Sequence, residues 1–427
     1  MPTAENYDLL IHTAPGTAGG DLLRRYWQPI ALLEELPVGG APVPLRVMDQ
    51  ELVLFRDDQG RPGLLALHCS HRGADLSYGR LEDGGLRCIY HGWLYDRDGR
   101  CLEQPGEPAG STFQEKIRHP AYPCQEAAGI IFAYLGPGEP PLLPAFEFLQ
   151  ASLDRALPTK RLHECNYLQG NEGSIDPSHQ SFLHRLSSDT RGEHGVRQIL
   201  NARATSPIIE TEDTDFGVRI YAVRKVGDDQ NNVRISNYIL PNAAAVAGDK
   251  FGYLVQWHVP IDDTHHYRYQ LWFRHEMPFT DEERAESSSV TLLPGFRMTR
   301  NVSNHFLQDR EEMKSQSFAG LGPNFMVHDA CAIEGAGPIQ NRTDEHLGYG
   351  DRAISAARQM MFKALDDISE GQDPPGVVRD PSMNSFPHLF VRRDLLLPAS
   401  VEWMGYWSKT GPVEGETWDL IGSAVPS

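Results

Sequence analysis

The sequence predicts an α+β protein with two domains, one built of short strands and one that combines an antiparallel sheet with a long helix. The first third contains short apolar or alternating segments separated by turn-forming residues: 51–57, 63–69 and 129–135. Later segments rich in β-branched and aromatic residues alternate with polar ones: 217–225, 233–240, 252–259 and 266–274. This alternation predicts an antiparallel sheet with one buried face. Residues 351–367 carry apolar side chains at helical spacing, which predicts a helix packed on that sheet.

A segment rich in proline and glycine, 136–144, predicts a linker between the two domains. With 427 residues, the chain is long enough for more than one hydrophobic core. Residues 20–27 indicate a short helix before the first strands. We therefore expect a helical lead-in at 1–24 that packs with the larger domain, a first domain at 25–140 and a second domain at 141–427.

Composition and charge exclude several classes of protein. The net charge is −19, from 39 basic and 58 acidic residues, which disfavours nucleic acid or an anionic membrane as partner. The sequence has no apolar run of the length needed to cross a bilayer and no secretory signal pattern at its start. Four of its six cysteines are scattered without the spacing of a disulfide framework. A reducing compartment fits this pattern, so we expect a cytoplasmic protein.

Two short motifs predict an iron–sulfur cluster. Cys69 and His71 form a C-x-H motif, and after sixteen residues Cys88 and His91 form a C-x-x-H motif. One thiolate and one imidazole from each of two loops suit a Rieske [2Fe–2S] cluster, in which two cysteines bind one iron and two histidines the other. A structural zinc site is the alternative, but zinc sites more often group like ligands in pairs.

A second group of metal-ligating residue types follows in the segment 170–185. His179 and His184 lie on or beside a predicted short helix, with Glu172 and Asp176 just upstream. Two histidines and one carboxylate on one face of an iron ion leave positions open for O2, as in non-heme iron oxygenases. The alternative is a pair of surface or capping histidines, with Asp176 as the cap of a helix whose first residue is proline.

The spacing of the two histidines predicts an interruption of the helix. Residues five apart on a regular α-helix are rotated by about 140°, so His179 and His184 would not share a face. If both bind one metal, the helix must be broken or bulged between them, or His184 must lie beyond its end.

Three segments together resemble the Rieske non-heme iron oxygenases, in particular the catalytic (alpha) subunit of the phthalate dioxygenase type. They are CSHRGADLSYGRLEDGGLRCIYHGWLYD (69–96), GNEGSIDPSHQSFLHR (170–185) and HDACAIEGAGPIQNRTDEHLGYGDRAI (328–354). By position, the resemblance implies Cys69, His71, Cys88 and His91 as cluster ligands. It implies mononuclear iron ligands at His179, His184 and Asp329. If Asp329 is not the carboxylate, Glu334 and Asp344 are the other candidates in this segment.

The resemblance also implies an architecture and partners. An all-β Rieske domain would be joined to a helix-grip catalytic domain, in a homotrimer or a dimer of trimers. Asp176 matches the aspartate that links an iron-ligating histidine to a Rieske histidine of the neighbouring subunit. Glu172 matches a position that is an amide or an acid in the family, and it is a candidate to contact the iron ligands. Electrons would come from NADH through a separate reductase with FMN, a ferredoxin-type centre or both.

The predicted function is that of a terminal oxygenase that activates O2 at mononuclear Fe(II) and hydroxylates or dihydroxylates an aromatic, carboxylated small molecule. Oxidative O-demethylation of a methoxylated aromatic acid is the alternative reaction. An electron carrier or an iron–sulfur sensor without turnover is the alternative class. Arg219, Arg234 and Arg268 lie on predicted strands and are candidates to pair with a substrate carboxylate, or are solvated side chains.

Overall fold

The computed structural model describes residues 4–186, 204–249, 251–288 and 292–404. Its first part consists of three small antiparallel sheets, with strand orders β1-β11-β10, β2-β3-β4-β9 and β5-β6-β7-β8. These strands are β1 (Gln28–Leu32), β2 (Val43–Val47), β3 (Gln50–Arg56), β4 (Pro62–Ala66), β5 (Arg80–Glu82), β6 (Gly85–Arg87), β7 (Leu94–Asp96), β8 (Cys101–Glu103), β9 (Ala121–Tyr122), β10 (Cys124–Ala127) and β11 (Ile130–Ala133).

The second part is organised around one ten-stranded sheet. Its order is β13-β14-β15-β16-β17-β18-β12-β20-β19, with β21 paired to β15. The strands are β12 (Ala156–His163), β13 (Ile208–Asp213), β14 (Gly217–Val226), β15 (Gln230–Ile239), β16 (Ala243–Ala247), β17 (Gly252–Asp262), β18 (His265–Arg274), β19 (Leu292–Leu293), β20 (Arg297–Met298) and β21 (Arg392–Pro398). The four alternating segments predicted from the sequence are its strands β14, β15, β17 and β18, and their antiparallel pairing is confirmed. The prediction that one face is exposed is wrong, because these strands are buried at nearly every position, with elements packed on both faces of the sheet.

Seven α-helices lie in the described part of the chain. They are α1 (Ala4–Ile11), α2 (Ala18–Arg24), α3 (Tyr167–Ile175), α4 (Asp281–Ser288), α5 (Glu312–Ser315), α6 (Phe325–Gly335) and α7 (Arg352–Ser369). The long helix predicted over 351–367 is α7, which buries Ala353, Ala357, Met360, Met361 and Ala364. The α+β prediction is therefore confirmed. None of these helices has the length and apolar character required to cross a bilayer.

Helix α3 lies unusually close to the sheet. A Cβ atom at Gly170 would come within 2.6 Å of His266 Nε2 and even closer to His258 Nδ1. Those two rings are fully buried on strands β18 and β17, and their nitrogens are 2.9 Å apart. Only glycine therefore allows the helix backbone to rest directly on this pair of rings.

The N-terminal residues and the first domain both contact the second part of the chain. Asn166 Nδ2 and Tyr167 Oη donate hydrogen bonds to the carbonyls of Ile11 and Leu10, at 2.9 and 2.8 Å. Beyond β2, the backbone N–H of Met48 donates to the carbonyl of Pro260 at 2.8 Å. These contacts tie α1 and the first set of sheets to the elements that carry α3.

Candidate metal centres

The two Cys/His motifs form matching turns at the tip of the first domain. The N–H of Gly73 donates to the carbonyl of Cys69 at 2.8 Å, and the N–H of Gly92 donates to that of Cys88 at 3.0 Å. Both glycines have positive φ, +72° and +75°, a conformation that other residues rarely adopt. The two turns therefore present their cysteines in the same way.

The four side chains predicted as cluster ligands form two pairs, one in which Cys69 and Cys88 interact and one in which the two histidine rings are adjacent. Cys69 and Cys88 are each 3% exposed, whereas the two histidines face outward. The His71 and His91 rings are 4.5 Å apart, and His71 stacks on the Trp93 ring at 4.5 Å. Buried thiols beside a pair of partly exposed imidazoles fit a cluster whose histidine-bound iron is nearer the surface.

Hydrogen-bond donors surround the two sulfur atoms. Tyr95 Oη lies 3.2 Å from Cys69 Sγ. Burial raises the pKa of Cys88, and the backbone N–H groups of Tyr90 and His91 act in the opposite direction on its sulfur. Such donors stabilise negatively charged sulfur, so this environment fits a reducible iron–sulfur cluster.

His119, which the sequence analysis did not identify, contacts residues that surround the two cysteines. Its Nδ1 lies 2.7 Å from Ser70 Oγ and its Nε2 lies 2.8 Å from the carbonyl of Ala66. Its ring is 4.7 Å from that of Tyr95. No sequence motif pointed to His119, because it lies 28 residues beyond the second Cys/His motif and is not part of a metal-binding pattern.

In the second part of the chain, the structure brings His179, His184 and Asp329 together. His184 Nε2 is 3.1 Å from His179 Nε2 and 3.0 Å from Asp329 Oδ1, and His179 Nε2 is 3.8 Å from the same oxygen. Ligands bound at about 2.1 Å and roughly at right angles to each other lie about 3 Å apart. The three atoms are therefore arranged as one face of a metal site.

The predicted interruption between the two histidines is confirmed. Helix α3 ends at Ile175, His179 begins a separate 3-10 turn (His179–Ser181), and His184 lies three residues beyond that turn. Turn hydrogen bonds from Phe182 and Leu183 to the His179 carbonyl replace a continuous α-helix, and the two ring nitrogens come within 3.1 Å of each other.

Asp176 connects the end of α3 to His179. Its Oδ1 accepts a hydrogen bond from the N–H of Ser178 at 2.7 Å, and its Oδ2 lies 3.4 Å from His179 Nδ1. Burial opposes ionisation of Asp176, but its contacts with His179 and Ser178 outweigh burial and lower the pKa. A carboxylate on the far nitrogen of a histidine is the usual orienting partner of a metal-ligating imidazole.

Asp329 is the carboxylate that reaches the two histidines, and the alternatives lie elsewhere. Burial opposes its ionisation, but His184, Arg268 and His179 hold the pKa of Asp329 well below its ordinary value. Asp344 is bonded to Asn341, and Glu334 contacts a different histidine, His163. Asp329 is thus present as the anion that a metal requires.

Glu172 faces away from these three residues and into an ion network. Its two oxygens accept hydrogen bonds from Arg358 Nε at 2.6 Å and Arg342 Nη2 at 3.0 Å. Arg358 also pairs with Glu345 at 2.6 Å. The structure therefore places Glu172 as an anchor of α3 and not as a contact of the histidines.

Behind the site, Glu334 and His163 form a buried pair, with Glu334 Oε1 2.8 Å from His163 Nδ1. Burial raises the pKa of Glu334 to about 8 and lowers that of His163 to about 3. At pH 7 both groups are consequently neutral, and the contact is a hydrogen bond between uncharged partners.

The three arginines predicted as candidates for a carboxylate have different surroundings. Arg219 pairs with Glu212 at 2.8 Å and lies over the Phe390 ring, away from the histidines. Arg234 donates to Gln180 Oε1 at 2.7 Å, beside His179. Arg268 contacts Asp329 Oδ2 at 3.4 Å. Of the three, Arg234 and Arg268 adjoin the candidate metal site.

The sequence matches two protein families that together cover most of its length. The family described as Rieske [2Fe-2S] domain matches residues 26–121, and that described as LigXa C-terminal domain like matches residues 133–413. The first match favours the Rieske interpretation of the two Cys/His motifs over a zinc site.

Characterised relatives extend over nearly the whole chain. It is 32% identical to the phthalate 4,5-dioxygenase oxygenase subunit of Pseudomonas putida, over 96% of this chain and 95% of that one. It is 34% identical to the 5,5'-dehydrodivanillate O-demethylase oxygenase subunit of a Sphingobium species, over 93% and 88%. The terminal oxygenase of carbazole 1,9a-dioxygenase from Nocardioides aromaticivorans has the same fold, with 20% identity, a TM-score of 0.56 and coverage of 84% and 96%.

Replacement of Tyr95 by Phe tests the contact with Cys69. A hydrogen bond to a ligand sulfur favours the reduced cluster, so its loss is expected to lower the midpoint potential by several tens of millivolts. About 59 mV corresponds to a tenfold change in a one-electron equilibrium. Redox titration followed by visible absorption measures the shift. Tyr134→Phe, in which a buried tyrosine bonded to Pro137 is altered, is the control and leaves the potential unchanged. An unaltered potential in Tyr95→Phe would contradict the assigned contact.

Replacement of Glu334 by Gln tests the neutral pair. The folded protein keeps a proton on Glu334 that the unfolded chain releases near its ordinary pKa of 4.5. The proton bound to Glu334 therefore makes its full contribution to the free energy of unfolding below pH 4.5. This contribution is lost as the pH rises to about 8, and the free energy of unfolding falls by up to about 1.4 kcal/mol per pH unit. We expect the melting temperature of Glu334→Gln to fall less than that of the wild type between pH 5 and 8. Glu311→Gln, at an exposed site, should follow the wild type. Parallel curves for all three proteins would mean that Glu334 is ionised.

Proposed function

Because the chain belongs to the family of Rieske-domain oxygenase subunits that includes the phthalate 4,5-dioxygenase oxygenase subunit, we propose that Cys69, His71, Cys88 and His91 hold its [2Fe–2S] cluster. Two equivalent turns, two buried thiols and two outward imidazoles support this assignment. We place the Rieske domain at 25–140, the catalytic domain at 141–427 and the helical lead-in at 1–24.

The observation that carries the proposed function is the group formed by His179, His184 and Asp329. Their three ligand atoms lie within 4.8 Å of one another, with Asp329 ionised. We assign them as ligands of a mononuclear Fe(II). Bound there, iron would supply O2 activation, and the cluster would supply electrons singly. An electron carrier or sensor would have no use for this second site.

The protein acts as a terminal oxygenase on an aromatic compound, as its relatives' names indicate for those proteins. We propose a carboxylated substrate, since Arg234 and Arg268 adjoin the metal site and are buried. The main reaction is hydroxylation or dihydroxylation of the ring. The relative that is an O-demethylase subunit supports oxidative O-demethylation as the second candidate reaction.

We propose that electrons come from NADH through a separate reductase with FMN, a ferredoxin-type centre or both. Several solved structures of the same fold are complexes of an oxygenase with a ferredoxin, which supports a separate donor. Ile89 and Tyr90, beside His91, are 60% and 55% exposed and give the cluster tip an apolar rim suited to a partner. The cytoplasmic location stays a prediction that rests on the scattered cysteines.

We propose a homotrimer or a dimer of trimers, in which Asp176 links the iron of one subunit to the cluster of the next. Asp176 is about one-fifth exposed, and within one chain its contacts are with Ser178 and His179. The cluster ligands His71 and His91 are likewise open at their outer edges. A second copy of the chain would join these surfaces.

Replacement of Asp329 by Ala tests the proposed iron site. The variant should lose mononuclear iron and turnover but keep the visible spectrum of the cluster, because the cluster ligands are in the other domain. Iron analysis should therefore fall from about three to about two atoms per chain, the sum of one mononuclear ion and two cluster irons. Asp344→Ala, in an exposed turn, is the control and should keep all three. Full iron and activity in Asp329→Ala would reject Asp329 as the ligand and make Glu334 or Asp344 the candidate carboxylate.

Replacement of Asp176 by Asn separates its two possible roles. As a cap of the following turn, Asn is nearly equivalent to Asp, and the change would be silent. As a link between centres, the carboxylate accepts from ring N–H groups on both sides, which the amide nitrogen cannot do. We expect the variant to keep both metals and its oligomeric state but to reoxidise its reduced cluster at least tenfold more slowly when O2 and substrate are added. Wild-type reoxidation rates would leave Asp176 as a cap alone.

A further inference from the structure

Two buried arginines face each other beside the candidate iron site. Arg161 on β12 lies directly opposite Arg268 on β18 in the antiparallel register, so both side chains are on the same face of the sheet. They are 7% and 3% exposed. Sequence analysis did not identify Arg161, because the pairing of β12 with β18 joins segments about a hundred residues apart.

Arg161 has no carboxylate partner among the described residues. Its Nη1 donates to Thr159 Oγ1 at 3.2 Å and to Gln270 Oε1, and its Nε has no partner. Burial, and then the neighbouring Arg268, lower the pKa of Arg161 to about 10, so it is still charged at pH 7. Buried arginines are ordinarily paired with an anion, so this one is an exception that calls for a counter-ion.

Within the described part of the chain, the carboxylate that contacts this arginine pair is Asp329, and it already has other partners. Arg268 donates to Asp329 Oδ2 at 3.4 Å and to Gln256 Oε1. Asp329 is also the proposed ligand of a divalent ion, which would neutralise its charge. With that metal bound, this wall of the site carries two guanidinium charges without a matching anion.

Two apolar side chains lie close to the arginines and to a proposed iron ligand. The ring of Phe325 stacks on His184 with centroids 4.6 Å apart. Met326, the next residue, receives a hydrogen bond at its Sδ from Gln270 Nε2 at 3.1 Å. A flat apolar ring with one anionic substituent matches a site that has an aromatic wall, a sulfur atom and two guanidinium groups.

We propose that Arg161 is a specificity-determining residue that binds the carboxylate of an aromatic acid substrate, with Arg268 beside it and Gln270 orienting its guanidinium. The proposal rests on the proposed function, because the ring is held near the iron ligands only if the site binds metal and substrate. Arg161 fixes the anionic end of the substrate, and the ring then extends towards His184 and Asp329.

The test measures binding to the purified holoenzyme by isothermal titration calorimetry, without a reductant. The probes are benzoate, phthalate and 4-methoxybenzoate, each compared with its neutral carboxamide. In the wild type, at least one acid should bind about tenfold or more tightly than its amide. If no acid in the set binds more tightly than its amide, the proposal is overturned.

Two variants examine Arg161 itself. Arg161→Gln should weaken binding of the preferred acid about 10- to 100-fold, the loss expected for a charged hydrogen-bonded partner, and leave amide binding nearly unchanged. Gln270→Glu keeps the arginine but gives it an internal carboxylate, so it should also weaken acid binding. A purely structural role would make Gln270→Glu neutral or stabilising, with no effect on the acid. Gln270→Glu decides the matter if Arg161→Gln fails to fold.

Arg219→Gln is the matched control, since Arg219 is equally buried but is paired with Glu212 away from the site. It should bind acids as the wild type does.

Unaltered acid binding in both Arg161→Gln and Gln270→Glu would overturn the proposal. If the wild type holds about three irons per chain and oxidises only neutral aromatics, the terminal-oxygenase function stands, whereas the carboxylated substrate and this inference both fail. If mononuclear iron is absent, the proposed function fails. The comparison of acid with amide binding is then still measured and tests the role of Arg161 separately.

Discussion

The close approach of helix α3 to the large sheet is the constraint on which the proposed iron site depends. Gly170 lets the helix backbone rest on the rings of His258 and His266, and any larger residue there would push the helix outward. The helix ends at Ile175, so its height above the sheet sets the position of the turn that carries His179. Since metal geometry tolerates errors of a few tenths of an ångström, a displacement of one atomic radius would separate this histidine from Asp329.

The face of the sheet beneath α3 and α6 is polar, in contrast to an ordinary hydrophobic interior. It includes His163, His266, Arg268 and Gln270, all less than 9% exposed. The structure tolerates this because the histidines are neutral and hydrogen-bonded, while Arg268 lies beside Asp329 in the proposed iron site. The buried charged side chains on this face therefore lie where a bound metal and an anionic substrate would compensate for their charge.

Sequence reasoning succeeded where the signal was local. The spacing from Cys69 to His91 predicted the Rieske motif, the alternating segments predicted four strands of the large sheet, and the five-residue interval from His179 to His184 predicted the interrupted helix. Sequence reasoning failed where the residues that contact each other are far apart in the sequence. Helix α3 carries no amphipathic pattern, because buried polar residues surround it, and the surroundings of Arg161 depend on a strand pairing across about a hundred residues. The charge of Glu172 suggested a role near metal, whereas its partners come from the last third of the chain.

The ion network around Glu172 links the unfolding of α3 to that of α7 in the catalytic domain. It joins α3 to Arg342 and to Arg358 on α7, segments 170 and 186 residues further along the chain. An isolated opening of α3 would leave the buried Arg342 without its anion and Arg358 with Glu345 alone, which is far more costly than the loss of an exposed pair. We therefore expect the segment that bears the two histidines proposed as iron ligands to unfold together with α7, so that the cooperativity of the whole domain would suppress local fluctuations that release a metal.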